Sequence, residues 1–188
     1  MEHSAGSLGA RPLGTRRRGF TIVEVLVVMA IILVLAGLIL ATSSYVHNKG
    51  ARSRAEAEIA AMSAALENYK ADNGVYPTNL SLNAKSQGNP SAYQSASTTL
   101  YQSMIGDKNA DGLPDAGATS YMLFKPNQVG GSGATAYVKD PFGNSYGYST
   151  IYQSDSTKGY NPTFDLWSTA GVVDTSATPN SVGWIKNW

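Results

Sequence analysis

Apolar residues fall along this chain in three regimes. From Phe20 to Ala41 (FTIVEVLVVMAIILVLAGLILA), Val, Ile, Leu, Met and Ala fill nearly every position. A helix of this composition is apolar all round, and its twenty-two residues make about 33 Å, enough to cross a bilayer's hydrocarbon core. From Ala51 to Tyr69 the sequence is Ala-rich, free of Gly and Pro, and carries Ile59, Met62, Leu66 and Tyr69 three and four apart. That spacing predicts a helix with a single apolar stripe. Arg52/Glu56 and Arg54/Glu58 are i,i+4 pairs expected on the opposite side. Asp72, Asn73, Gly74 and Pro77 form a stop signal. One helix from about Thr21 to Asp72 is therefore expected, softened at Gly50, its first half apolar all round and its second half amphipathic.

In the third regime helical periodicity is lost. Asn79 to Thr99 is rich in Ser, Asn, Ala and Gln, which predicts a long surface loop with at most a short helix near Ala96 to Ile105. Tyr137-Val138, then Asp140 to Asn144 (DPFGN), then Tyr146 to Tyr148 read as strand, turn, strand, and Thr163 to Thr169 is a further β-rich run. Tyr and Trp crowd into this second half, where their expected role is to pack the sheet onto the helix stripe.

Charge orients the apolar segment. The formal net charge is +1, which gives no pointer to a nucleic-acid partner. Arg11, Arg16, Arg17 and Arg18 sit in the first nineteen residues against one acid, Glu2, and the remainder is mildly acidic. The three adjacent Arg are denser than Lys49, Arg52 and Arg54 beyond the run, so the N-terminus is expected inside and the C-terminal domain exported. A secretory signal peptide has an apolar core of only about 7–15 residues, so an anchor is favoured over a cut near Ala41-Thr42-Ser43. The chain has no Cys, which removes disulfides and a thiol nucleophile. It has two His, His3 and His47, and neither an H-E-x-x-H nor a G-x-S-x-G motif, so no enzymatic role is expected.

Glu24 is the informative exception within the apolar run. A carboxylate costs about 2.5–3.5 kcal/mol at the centre of a span and less near its end. One reading lets it snorkel to the headgroups or protonate. The other supplies a cation: a cut between Gly19 and Phe20 creates an amino group within one helical turn, and amine and carboxylate of neighbouring subunits neutralise each other.

Arg18 to Val28 (RGFTIVEVLVV) resembles the type III signal of type IV prepilins and type II secretion pseudopilins. Ala64 to Thr78 (AALENYKADNGVYPT), Lys139 to Tyr148 (KDPFGNSYGY), Phe164 to Thr169 (FDLWST) and Ile185 to Trp188 (IKNW) resemble the later parts of the major pseudopilin of type II secretion. The resemblance implies an α+β, type IV pilin-like fold, with a long N-terminal helix packed on a small C-terminal antiparallel β-sheet. It divides the chain into a leader (1–19), a transmembrane and filament-core helix (20–41), an amphipathic helix (42–74) and an exported head (75–188). A prepilin peptidase would cut after Gly19 and N-methylate Phe20, and Glu24 would guide docking. The implied partners are further copies of the chain in a homopolymeric filament, other pseudopilins and an inner-membrane assembly platform. The subunit would wait in the inner membrane, single-pass, with a periplasmic head, and then join a pseudopilus supporting secretion across the outer membrane. A type IV pilus subunit or surface adhesin is the alternative within the resemblance. A signal-anchored binding domain that never polymerises is the alternative outside it, and it has no use for Gly19-Phe20 or Glu24.

A calcium loop is the remaining candidate chemistry. In Asp107 to Asp115 (DKNADGLPD), Asp107, Asn109 and Asp111 place oxygens at alternate positions, Gly112 permits a sharp turn, Leu113 offers its carbonyl and Asp115 adds a carboxylate. The closing acid of an EF-hand-like loop would fall on Ala118, and an Asx-rich turn explains the same residues without a cation. The resemblance implies a structural Ca²⁺ in the loop after FDLWS, where Asp174 alone supplies a carboxylate and Val172 and Trp184 stand near where acids are expected.

Overall fold

The computed structural model describes residues 19–188; residues 1–18 of the expected leader, with Arg16, Arg17 and Arg18, lie outside them. Helix α1 is Ile22–Asn73, 52 residues long and unbroken at Gly50. At its start the Thr21 hydroxyl accepts the Glu24 amide at 3.2 Å, satisfying one of the amides a helix leaves open. At its end the Gly74 amide bonds the Lys70 carbonyl at 2.7 Å with φ +78, the left-handed stop the sequence predicts. The chain divides into two compact units between Ser44 and Tyr45.

In the first unit the side chains from Ile22 to Leu40 are exposed, including Val23 (69 %), Leu33 (72 %) and Leu40 (75 %). Covering a large apolar side chain is worth about 1.5–3 kcal/mol, so a row of them left open marks a surface made for lipid or for other helices.

The second unit runs from Tyr45 to Trp188. The remainder of α1 buries Ala55, Ile59, Met62, Ala65 and Leu66, with Tyr69 partly buried beside them. The predicted stripe is therefore the face that meets the core. Helix α2 (Gln94–Ile105) brings Leu100, Tyr101, Met104 and Ile105 to the same cluster. It stops at Gly106, φ +80, whose amide returns to the Gln102 carbonyl. Strands β1 (Val129–Gly130) and β2 (Tyr137–Val138) form an antiparallel pair. Strands β3 (Gly147–Ser149), β4 (Asp165–Ser168) and β5 (Ile185–Lys186) form a second antiparallel sheet in that order, with Tyr148 opposite Leu166. The architecture is a pilin-like α+β fold.

The strand–turn–strand order read around Asp140 is present as β2, the Asp140 turn and β3, linked by a bridge between Lys139 and Ser145 and by the Tyr146 amide on the Val138 carbonyl. The Asp140 carboxylate draws the Phe142 and Asn144 amides into a tight turn. The two flanking strands then join different sheets, β2 with β1 and β3 with β4. Asn79 to Thr99 is not a free surface loop, because Leu82, Ala84, Tyr93 and Ala96 form a second core with Trp167 and Trp184. That cluster also takes the tryptophans away from the α1 stripe, where the sequence had them packing. Finally, Arg52 does not serve as a surface partner of Glu56 but donates to the Gly183 carbonyl at 3.0 Å.

Candidate functional site

Gly19 and Phe20 precede α1, and Phe20 is 80 % exposed. Glu24 lies in the first helical turn, where the positive end of the helix dipole favours a carboxylate. Phe20 and Glu24 are four residues apart in the sequence, Phe20 just before α1 and Glu24 within its first turn. The rest of α1 as far as Leu40 offers only apolar side chains, Gly37 apart. Among the described residues α1 is the one helix long and apolar enough to cross a membrane.

The Asp107–Asp115 segment is a nest of turns closed by its own amides. Asp107, itself buried, accepts the amides of Asp111 at 3.2 Å and Gly112 at 2.8 Å. Asn109 accepts the Asp111 amide, and Asp111 accepts that of Leu113. Asp115 folds back to the Lys108 amide at 2.7 Å. Ala110 at φ +60 and Gly112 at φ +85 turn the chain tightly enough to permit this. Among the described residues no group of three or more His, Asp or Glu is placed to hold a metal together. Asp174 lies elsewhere, pairing with Gly88 through its backbone. Its exposed carboxylate accepts from Ser176 and from the Asn180 amide, and these hydrogen bonds hold it below the usual carboxylate range.

Sequence reasoning missed Glu58. It was read as a surface acid paired with Arg54, and that pair is present but loose at 3.8 Å. The Glu58 carboxylate instead accepts the Tyr146 hydroxyl at 2.7 Å and the Gln128 amide at 3.0 Å, fastening α1 to both sides of the head. Burial, then the Glu58 bond, push the Tyr146 hydroxyl far above its ordinary pKa. Nearby, Asp140 is buried and held above the usual range by that burial, against the opposing bond from the Ser168 hydroxyl. The only sequence signal for Glu58 was its place one position before the stripe residue Ile59.

A helix apolar from Val25 to Leu40, with Glu24 in its first turn, follows the Gly19-Phe20 junction and leads into an α+β head. Residues 14–40 match the family described as the prokaryotic N-terminal methylation motif. The particular relatives are narrower. The chain is 40 % identical over 65 residues to the type II secretion system core protein G of Pectobacterium carotovorum, covering 35 % of this chain and 42 % of that protein. It is 41 % identical over 63 residues to core protein G of Escherichia coli K12, covering 34 % and 43 %. To core protein G of Vibrio cholerae it is 38 % identical over 63 residues, covering 34 % and 43 %. The chain therefore spans less than half the length of these relatives. No solved structure matches the chain.

Proposed function

We propose that the chain is a structural subunit of a type II secretion pseudopilus, anchored in the inner membrane by Phe20 to Ala41 before it assembles. One observation carries this reading: a Gly19-Phe20 junction placed one turn before Glu24, at the head of a helix whose apolar side chains are exposed. A prepilin peptidase cuts after Gly19 and methylates the Phe20 amine, and Glu24 neutralises that amine on a neighbouring subunit. Assembly exchanges lipid contacts for helix–helix packing, which small residues such as Gly37 allow to be close. Further copies, other pseudopilins and the assembly platform are the partners, the head faces the periplasm, and the role is mechanical. The names of the relatives favour a secretion pseudopilus over a surface pilus.

Mass spectrometry of the N-terminus of the purified mature protein tests this directly. A start at N-methylated Phe20 is expected. An intact Met1 start, or a start near Ser43, overturns it.

The same proposal extends calcium to the Asp107 loop. Its support is the hard oxygen set of Asp107, Asn109, Asp111, Asp115 and the Leu113 carbonyl within one tight turn. Thermal melts of the protein in CaCl₂ and in EDTA decide it. Calcium should raise the midpoint, and Asp111→Ala should abolish the rise. Equal midpoints leave the segment as an Asx turn and leave Asp174 with its loop-closing role alone.

A further inference from the structure

The first turns of α1 in the second unit form one wall of an open groove of about 860 Å³. Val46, His47, Arg54 and Ala57 line it from the helix, and Pro141 and Phe142 line it from the turn that Asp140 holds. The groove has two chemistries. Val46, Ala57, Pro141 and Phe142 present hydrocarbon, with Val46 65 % exposed. His47 and Arg54 present nitrogen donors, and Lys49 stands in the same stretch. The Arg54 side chain is 58 % exposed and only loosely engaged by Glu58. Of the acids beside the groove, the Glu58 carboxylate is already taken by Tyr146 and Gln128, that of Asp140 by Ser168 and the Phe142 and Asn144 amides, and Glu56 stands exposed on α1 between Arg54 and Ala57.

The groove also stands close to the membrane in sequence. Val46 follows Ala41 by five residues, at most about 18 Å of chain even when fully extended. The headgroup layer is itself about 5–7 Å thick on each side of the hydrocarbon core.

We infer that this groove docks an anionic phospholipid, its phosphate against Arg54 and His47 and an acyl chain along Val46 and Phe142. A free phosphate has no use for the apolar wall. A second copy brings the same sign of charge in the same stretch. Arginine and lysine near an anionic surface attract it in just this way. The inference rests on Phe20 to Ala41 being a membrane anchor.

The test uses the full chain carrying p-benzoylphenylalanine in place of Phe142, reconstituted in phosphatidylcholine vesicles containing a quarter phosphatidylglycerol. After irradiation, mass spectrometry identifies what has been captured. The ratio of phosphatidylglycerol to phosphatidylcholine adducts is expected at about five times the lipid ratio of the vesicle, the factor that one basic residue near the surface supplies. His47→Ala with Arg54→Ala should return it to the lipid ratio, Arg54→Lys should retain most of the excess, and added inorganic phosphate should not compete. Adducts in bulk proportion, competition by phosphate, or capture of a second copy each overturn the groove assignment in a chain that resists carbonate extraction. A chain that carbonate extracts overturns the anchor, and the groove assignment with it.

Discussion

Glu58 shows how a single acid turns a helix face into a joint. Its carboxylate collects two donors from the head, one of them from Tyr146 eighty-eight residues away. Tyr146→Phe removes one charge-assisted bond without leaving a large hole, and it should cost about 1.5–3 kcal/mol in urea denaturation. Combined with Glu58→Gln, the losses should fall well short of additive, because both changes break one contact. Glu24 is the counterpart in the first unit. Glu24→Leu should leave membrane insertion intact and abolish filament assembly, read by carbonate extraction and electron microscopy of the same strain; unaltered filaments would refute the docking role. The two acids were unequally legible. Glu24 stands out because the residues around it are apolar, which is a local property. Glu58 looked like any helix-surface acid because its partners are brought by tertiary folding.

At the scale of elements, close backbone approach decides which positions tolerate change. Gly147 in β3 lies against the Trp167 ring, and a Cβ there would overlap the indole. Gly106 ends α2 at φ +80, where a Cβ would meet the Thr119 carbonyl oxygen at 2.7 Å. Gly106→Ala should cost about 1–3 kcal/mol from its left-handed backbone and crowding. Gly147→Ala should cost more, because a buried indole has less room to yield than a loop, and urea midpoints of the two variants rank them. Helix α1 was readable because its pattern repeats over many turns, and its ends carry cap and stop residues. The strands are two to four residues long, too short for a period of two to show. The segment before α2 was misread as free because its buried residues, Leu82, Ala84 and Tyr93, follow no period. Their burial is set by where Trp167 and Trp184 happen to lie.

For the molecule as a whole, the tyrosines set an alkaline limit. Burial holds the Tyr93, Tyr146 and Tyr148 hydroxyls well above their ordinary value near 10. Each stabilising contribution is fully present below pH 10 and is lost as pH rises toward the folded value, because the unfolded chain releases the proton first. The slope is about 1.4 kcal/mol per pH unit for each such tyrosine. Urea midpoints should fall steeply between pH 10 and 11, and Tyr148→Phe should flatten that limb; an unchanged slope would count against it. The acid side is less clean. Burial raises Asp140 and Asp165, whose contributions are complete below the unfolded pKa and fade as pH climbs through the folded one. A hydrogen bond from Lys158 lowers Asp155 to about 2, so its contribution fades in the opposite direction, as pH falls. The tryptophans carry a different consequence. All three in the chain meet in one cluster, Trp167 stacked on Trp184 at 6.1 Å and edge-on to Trp188 at 6.0 Å. Ring pairs this close couple their electronic transitions, so fluorescence excited at the red edge, where tryptophan absorbs and tyrosine does not, reports on this corner of the head. The protein thus carries its own optical gauge, able to show whether the head stays folded under conditions that act on its N-terminal helix.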